Sequence, residues 1–241
     1  MIERKKFILV GAGPGDPDLI TIKGTKALEQ ADVVLYDALI DESLLEYAPY
    51  SEKKIFVGKR MGEHYASQDE INQMILDNLE EFHCVVRLKG GDPFIFGRAQ
   101  DEIDFIKTHR NDVDIEVIPG ISSAVGLPSL HQIPLTKRGT NESVWIVTGT
   151  TAKCELSKDI ELAAQSTATV VILMGMNQLS NIVDTFKHYR NINTKITIIQ
   201  NGSLPEEQKV VGTLQDIIQL VEENNVKSPA IIIIQNADTD K

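Results

Sequence analysis

Three glycine-bearing turns hold most of the residues that could do chemistry in this chain. Gly11-Ala-Gly-Pro-Gly-Asp-Pro17, Lys89-Gly-Gly-Asp-Pro-Phe-Ile-Phe-Gly-Arg98 and Pro119-Gly-Ile-Ser-Ser-Ala124 each follow a short apolar run. Glycine lets the backbone bend sharply and come close to a ligand. In the second turn Gly90 and Gly91 can aim peptide groups at a ligand, and Asp92 can accept hydrogen bonds from hydroxyls or an amine. Phe94, Ile95 and Phe96 offer apolar surface beside them. In the third, Pro119 and Gly120 stop a strand, and Ser122 or Ser123 can cap the helix that follows. Lys59-Arg60 and Lys137-Arg138 are local basic pairs; taken alone, each suits a solvated surface.

The first turn invites comparison with a dinucleotide-binding loop, which also follows the first strand and expects an acidic residue about 20 positions on. Asp37, after Val33-Val-Leu-Tyr36, stands near that place. Two details count against that reading. The spacing is G-x-G-x-G with Pro14 inserted, and Pro17 and Asp18 delay any helix, so no helix N-terminus sits directly under a pyrophosphate.

The elements that must position these turns are legible as alternating patterns. Apolar, β-rich runs over 6–10, 32–36, 54–57, 84–88 and 114–118 read as strands. Helical patterns fall between them at 21–30, 68–80 and 99–109. The second places Ile71, Met74, Ile75 and Leu79 on one face. Such alternation predicts an α/β fold with a mainly parallel sheet, whose carboxyl edge is where ligands bind. The polar stretch 134–142 suggests a boundary, giving domains over 1–136 and 137–241. The second half predicts a further sheet, mixed in direction, from strands over 144–148, 169–174, 195–200, 209–212 and 230–234. Helices are expected over 177–189 and 214–223, the latter with a capping arrangement of Thr213 and Asp216.

Composition narrows the class. The chain has 241 residues, 42% of them hydrophobic, enough for one large core or two modest ones. A net charge of −11 disfavours a nucleic-acid binder. No run approaches the roughly 20 apolar residues of a membrane span, and 1–10 lacks the pattern of a secretory signal. The expectation is a cytoplasmic protein without membrane or nucleic-acid partner. Two cysteines, Cys84 and Cys154, are too few for a disulfide framework, and the five histidines show no metal-ligand spacing.

Taken together, the motifs resemble one family. VGAGPGDPDLIT, VVLYDALI, VGKR, RLKGGDPFIFGR, VIPGISSAVG and IPLTKRG stand in the order found in the uroporphyrinogen-III C-methyltransferases, a branch of the tetrapyrrole methylases, and LMGMNQL and SPAIIII continue the match. The resemblance implies two α/β domains holding S-adenosylmethionine between them in a non-Rossmann manner, and a homodimer. It implies cofactor contacts at Pro14, Gly90, Gly91, Asp92, Ile95, Ser122, Ser123, Met174, Gly202 and Ala230. Asp37 and Lys59 match the positions of proton acceptor and donor. This chain departs from the pattern in having Ser122-Ser123 for Thr-Ala and GRAQDE for GRGGEE after the second turn. No fused dehydrogenase or synthase stretch is visible, so a stand-alone form is expected.

The implied reaction methylates C2 and C7 of uroporphyrinogen III, giving precorrin-2 and S-adenosylhomocysteine, as in sirohaem and cobalamin biosynthesis. That substrate carries eight carboxylates, so an acidic protein must gather positive charge locally. Arg60, Arg98, Lys137 and Arg138 are the candidates, with Lys59 beside them. The rival readings are a methyltransferase acting on a later precorrin, a nicotinamide-dependent dehydrogenase built on the Gly11 turn, and a non-catalytic cofactor-binding protein.

Overall fold

The structure, a computed structural model, describes residues 4–58 and 66–236. Its contacts divide the chain into two compact units, Met1–Ser122 and Ser123–Lys241.

The first unit runs β1 (Lys5–Gly11), α1 (Ile22–Leu28), β2 (Val33–Tyr36), β3 (Lys53–Phe56), α2 (Gln68–Glu81), β4 (Cys84–Lys89), α3 (Ala99–His109) and β5 (Val113–Ile118). The strands form one sheet in the order β3-β2-β4-β1-β5, every pairing parallel. Parallel strands are covered on both faces and so read as unbroken apolar runs. Ile8 and Val10 of β1 face α1 with Val34, Val86 and Leu88. Phe7 and Leu9 face α2 and α3 with Val33, Leu35 and Val85. α2 starts in a capping box: Ser67 Oγ accepts from the Glu70 N–H, and the Ser67 N–H donates back to Glu70. Its Ile71, Ile75 and Leu79 then recur one turn apart and are buried against the sheet.

The second unit runs α4 (Ser123–Leu130), β6 (Val144–Thr148), α5 (Asp159–Gln165), β7 (Thr169–Leu173), α6 (Leu179–Tyr189), β8 (Lys195–Gln200), β9 (Gln208–Thr213), α7 (Ile217–Glu223) and β10 (Ala230–Ile234). Its sheet, β6-β7-β10-β8-β9, is mixed: β6 and β7 are parallel, and the other pairs antiparallel. α5, α6 and α7 cover one face. α4 covers the other, with Ala124 and Leu127 on Val171, Ile199, Ile231 and Ile233. That packing is why the units part at Ser122, ahead of the polar stretch where the sequence suggested a boundary.

Three local details differ from expectation. α5 was not foreseen: a seven-residue helix whose buried positions are Ile160 and two alanines carries little apolar periodicity. Its last turn is closed by Arg190, whose guanidinium donates to the carbonyls of Ala163, Ala164, Ser166 and Ala168. α7 begins at Ile217 rather than 214, because Asp216 turns back to accept from the N–H and Oγ1 of Thr213. Asp32 lies outside β2; its carboxylate accepts from the N–H groups of His83 and Cys84. Among the described residues no helix is long and apolar enough to cross a membrane.

The two cysteines differ in burial. Burial, aided by the charge of Asp32, pushes the Cys84 thiol up to about 11. A thiol reagent at pH 8 is expected to modify Cys154 alone in the folded protein and both cysteines in denaturant. Two equivalents reacting with the folded protein would contradict this burial.

Candidate active site

Because every pairing in the first sheet is parallel, the carboxyl ends of its strands share one edge. Gly11 pairs with Lys89, Val10 with Ile118, and Tyr36 with both Leu88 and Phe56. Gly11, Asp37, Gly58, Gly90 and Pro119 therefore leave the sheet side by side. The turns are sewn together by backbone. Gly13 and Gly91 exchange hydrogen bonds of 3.2 and 2.7 Å, and the Ala12 N–H donates to the Lys89 carbonyl at 2.8 Å. Gly13 and Gly91 both hold positive φ, 87° and 67°, which glycine adopts without strain.

The third turn closes on the other two at a point with no room for a side chain. A Cβ on Gly11 would stand 2.5 Å from the Cα of Gly120 and 2.7 Å from the carbonyl oxygen of Gly91; one on Gly120 would stand 2.2 Å from that same oxygen. The edge of the sheet is thus faced with bare peptide groups. Asp92 braces it: one carboxylate oxygen accepts from the Phe94 N–H (2.9 Å) and the other from the Gly120 N–H (3.1 Å). Just beyond it Phe94, Ile95 and Phe96 present exposed apolar surface.

Asp37 heads a charge quartet whose other three members are buried. Leu35 pairs with Arg87 across the sheet, and side chains two apart on a strand share a face. Asp37, Arg87 and Lys89 thus project on the α2/α3 side. The Arg87 guanidinium holds Asp37 Oδ1 and donates to the carbonyls of Leu88 (3.1 Å) and Leu35 (3.4 Å). Behind it Glu102 of α3 accepts from Arg87 Nε at 3.3 Å and Lys89 Nζ at 2.7 Å. Arg87, Lys89 and Glu102 are buried, while about a quarter of the Asp37 side chain reaches solvent. Burial lowers the pKa of Lys89, with the Arg87 charge adding to it against the pull of Glu102 and Asp37.

In the second unit, three more expected residues share one edge of the mixed sheet. Met174 follows β7, Gly202 follows β8 and Ala230 opens β10, where it pairs with Gln200. The Asn201 N–H donates to the Pro229 carbonyl, and Thr150 Oγ1 to the Met174 carbonyl. Met174 is half exposed and holds a positive φ of 54°, a backbone state that non-glycine residues rarely adopt away from functional or turn positions.

The chain matches the profile of the Tetrapyrrole (Corrin/Porphyrin) Methylases over residues 6–218. The chain belongs to the tetrapyrrole methylase family. Among individual tetrapyrrole methylases, it is 44% identical to a uroporphyrinogen-III C-methyltransferase of Methanocaldococcus jannaschii over 231 residues, 95% of each chain. It is also similar to the uroporphyrin-III C-methyltransferase of Thermus thermophilus solved with S-adenosylhomocysteine, at 34% identity and TM-score 0.80 over 95% of this chain and 92% of that one. A cobalt-precorrin-4 methyltransferase superposes with TM-score 0.84 at 27% identity, over 95% of this chain and 94% of that one.

Within this tetrapyrrole methylase the expected residues fall out as follows. Pro14, Gly90, Gly91, Asp92, Ile95, Ser122 and Ser123 lie on the three converged turns, or lead from the third into α4, and Asp37 stands on the adjoining strand end. Ser122 is buried and Ile95 exposed. Lys59 and Arg60 lie outside the described residues. Arg98 is exposed and paired with Asp101 at 2.8 Å, so its fork is shared with a neighbour in the first turn of α3. Lys137 and Arg138 sit on an exposed turn in the second unit, closed by Lys137–Asn141 bonds. Arg87, Lys89 and Glu102 were missed. Their signal was present, since two cations in an otherwise apolar parallel strand must find a buried partner.

The bracing role of Asp92 has a direct consequence. Asp92→Ala removes both the turn within its own loop and the tie to Gly120. Hydrogen bonds to a charged group are worth about 1.5–3 kcal/mol each, so the melting temperature is expected to fall by at least about 5 °C. An unaltered melting temperature would mean the third turn holds its place without this carboxylate.

Proposed function

We propose that this protein is a uroporphyrinogen-III C-methyltransferase that uses S-adenosylmethionine to convert uroporphyrinogen III to precorrin-2. The observation that carries the reading is the junction of Gly11, Gly91 and Gly120, where backbone packs on backbone and leaves the sheet edge faced with peptide groups. That surface fits a nucleoside: peptide groups and Asp92 for its hydroxyls and amine, Phe94 and Ile95 for its apolar faces. In this reading Pro14, Gly90, Gly91, Asp92, Ile95 and Ser122 hold the cofactor, and Ser123, Met174, Gly202 and Ala230 are the further contacts that the family resemblance implies.

When bound, S-adenosylmethionine supplies an electrophilic methyl group on a sulfonium. The chain's own residues position the electron-rich pyrrole carbon against it. A ring carbon that takes the methyl leaves the ring with one positive charge, and neutrality returns when the ring loses a proton. Asp37 accepts that proton at the carboxylate oxygen that Arg87 does not hold. Lys59 holds a substrate carboxylate, or returns a proton to the macrocycle where its double bonds shift after the loss to Asp37, and Arg60, Arg98, Lys137 and Arg138 meet the other carboxylates. Two such turnovers, at C2 and C7, give precorrin-2 and two molecules of S-adenosylhomocysteine. The working form in this reading is a cytoplasmic homodimer.

The superposition on a cobalt-precorrin-4 methyltransferase favours a second reading, action on a later precorrin, but the higher identities to uroporphyrinogen-III enzymes favour the first. Anaerobic incubation with uroporphyrinogen III and S-adenosylmethionine, followed by mass analysis, is expected to show two added methyl groups. No added mass on uroporphyrinogen III, with methylation of a later precorrin, would establish the second reading instead.

A further inference from the structure

Glu102 is fully buried, and three donors converge on its Oε1: Lys89 Nζ, Arg87 Nε and, at 3.3 Å, Nε2 of Gln68 from α2. Its Oε2 is buried with no hydrogen-bond partner among the described residues. A carboxylate kept in such a place needs a compensating reason, since a buried acceptor left unmade is costly. The reason visible here is charge. Asp37, Arg87, Lys89 and Glu102 are two carboxylates and two cations in contact, and each carboxylate touches Arg87.

We propose that Glu102 is a positioning residue for the proton transfer at Asp37: it anchors the guanidinium that holds Asp37 and, with Lys89, sets the net charge against which Asp37 works. The inference rests on the reading of Asp37 as proton acceptor and adds to it a residue two contacts away. Arg87 cannot hold Asp37 in one place unless it is itself held. Its guanidinium is fixed by Glu102 and by the carbonyls of Leu35 and Leu88, so the quartet is built from β2, β4 and α3 together. Among the described residues the charged groups that face Asp37 and Glu102 are Arg87 and Lys89; α2 contributes the neutral Gln68, which also donates to Asn72. The lowered pKa of Lys89 agrees with a site where one added or lost charge is felt by the rest.

The signs of the effects follow from electrostatics. Glu102→Gln keeps the shape and leaves two cations around Asp37, which favours its carboxylate form. The acid limb of the kcat profile then moves to lower pH, by about one on the pH scale for a charge this close. Turnover falls about tenfold, because a neutral amide oxygen holds the guanidinium less firmly than the carboxylate it replaces. Lys89→Met leaves an extra anion and moves the acid limb up. The double variant restores the charge balance, and its acid limb returns to the wild-type position.

The experiment is the pH dependence of single-turnover methylation for the wild type, the two single variants and the double variant, with melting temperature and S-adenosylhomocysteine affinity measured on each. Opposite shifts that cancel in the double variant are the expected result. A Glu102→Gln protein with wild-type turnover and profile, altered only in melting temperature, would reduce Glu102 to packing and overturn the proposal. Failure of that variant to fold leaves Lys89→Met to decide, and an unmoved acid limb there overturns it equally. Loss of methylation in the wild type itself would be a failure of the functional reading. The carboxyl carbon of Asp37, followed by NMR titration in the same proteins, still reads the coupling: opposite displacements support the quartet and identical curves refute it.

Discussion

Asp37→Asn lowers turnover at least ~10²-fold, the usual contribution of a positioned acid or base, while S-adenosylhomocysteine affinity stays at the wild-type value. Asparagine is the informative substitution because its carbonyl oxygen can still accept from Arg87, so the buried guanidinium keeps a partner. Alanine removes the base as well as that partner, and breaking a buried pair costs about 3–5 kcal/mol; partial exposure of Asp37 brings that figure down. The two variants should therefore share the loss of turnover and differ in melting temperature, alanine being the lower. A fall in kcat with little change in KM locates the loss in the chemical step. Undiminished turnover in Asp37→Asn would remove this residue from the mechanism.

Gly11→Ala weakens S-adenosylhomocysteine binding by about tenfold to a hundredfold. The added Cβ would lie 2.5 Å from the Cα and N of Gly120 and 2.7 Å from the Gly91 oxygen. All three are backbone atoms, so no side chain can swing aside and the turns themselves must separate. Overpacking of this kind costs about 1–3 kcal/mol, and about 1.4 kcal/mol is a factor of ten in affinity. Gly139→Ala is the fitting control. Gly139 also has a positive φ, 78°, but nothing lies within 4 Å of its Cβ position. Its substitution should cost stability through backbone strain and leave cofactor affinity alone. Equal affinities for wild type and Gly11→Ala would show that the turns tolerate separation and that their close junction is not what binds.

How much of this was legible in the sequence depends on the length scale of the signal. The strands of the first sheet were legible because parallel strands are covered on both faces, leaving Phe7–Val10 and Val33–Leu35 as unbroken apolar runs. The turns at their ends were legible because glycine and proline must punctuate such runs. Parallel direction then placed Gly11, Gly90 and Pro119 on one edge without further information. Asp37 was visible only as a strand-end carboxylate; that Arg87 and Lys89 in an apolar strand need a buried partner was legible, but which residue supplies it was not. Glu102 lies on α3 and reaches Arg87 from a helix crossing the sheet, a juxtaposition that no local pattern encodes.

The same limit applies to finer details. Asp92 was read as a ligand group, and the structure adds that both its oxygens already brace backbone N–H groups, one of them 28 residues away in the third turn. The boundary was sought in the polar stretch 134–142, whereas α4, with Ala124 and Leu127 on the second sheet, belongs to the unit that follows it. Polar composition marks solvent exposure, and where contacts divide is set by tertiary packing. α5 escaped notice because alanines at its buried positions leave almost no hydrophobic contrast.

In the proposed function the backbone of the converged turns carries the cofactor. Amide hydrogen exchange with and without saturating S-adenosylhomocysteine reads that backbone segment by segment. New protection is expected in the segments spanning Gly11–Pro14, Gly90–Ile95 and Gly120–Ser123, and none from an equal concentration of NAD. Exchange unchanged in those three segments on addition of S-adenosylhomocysteine, or protection there by NAD alone, would contradict it.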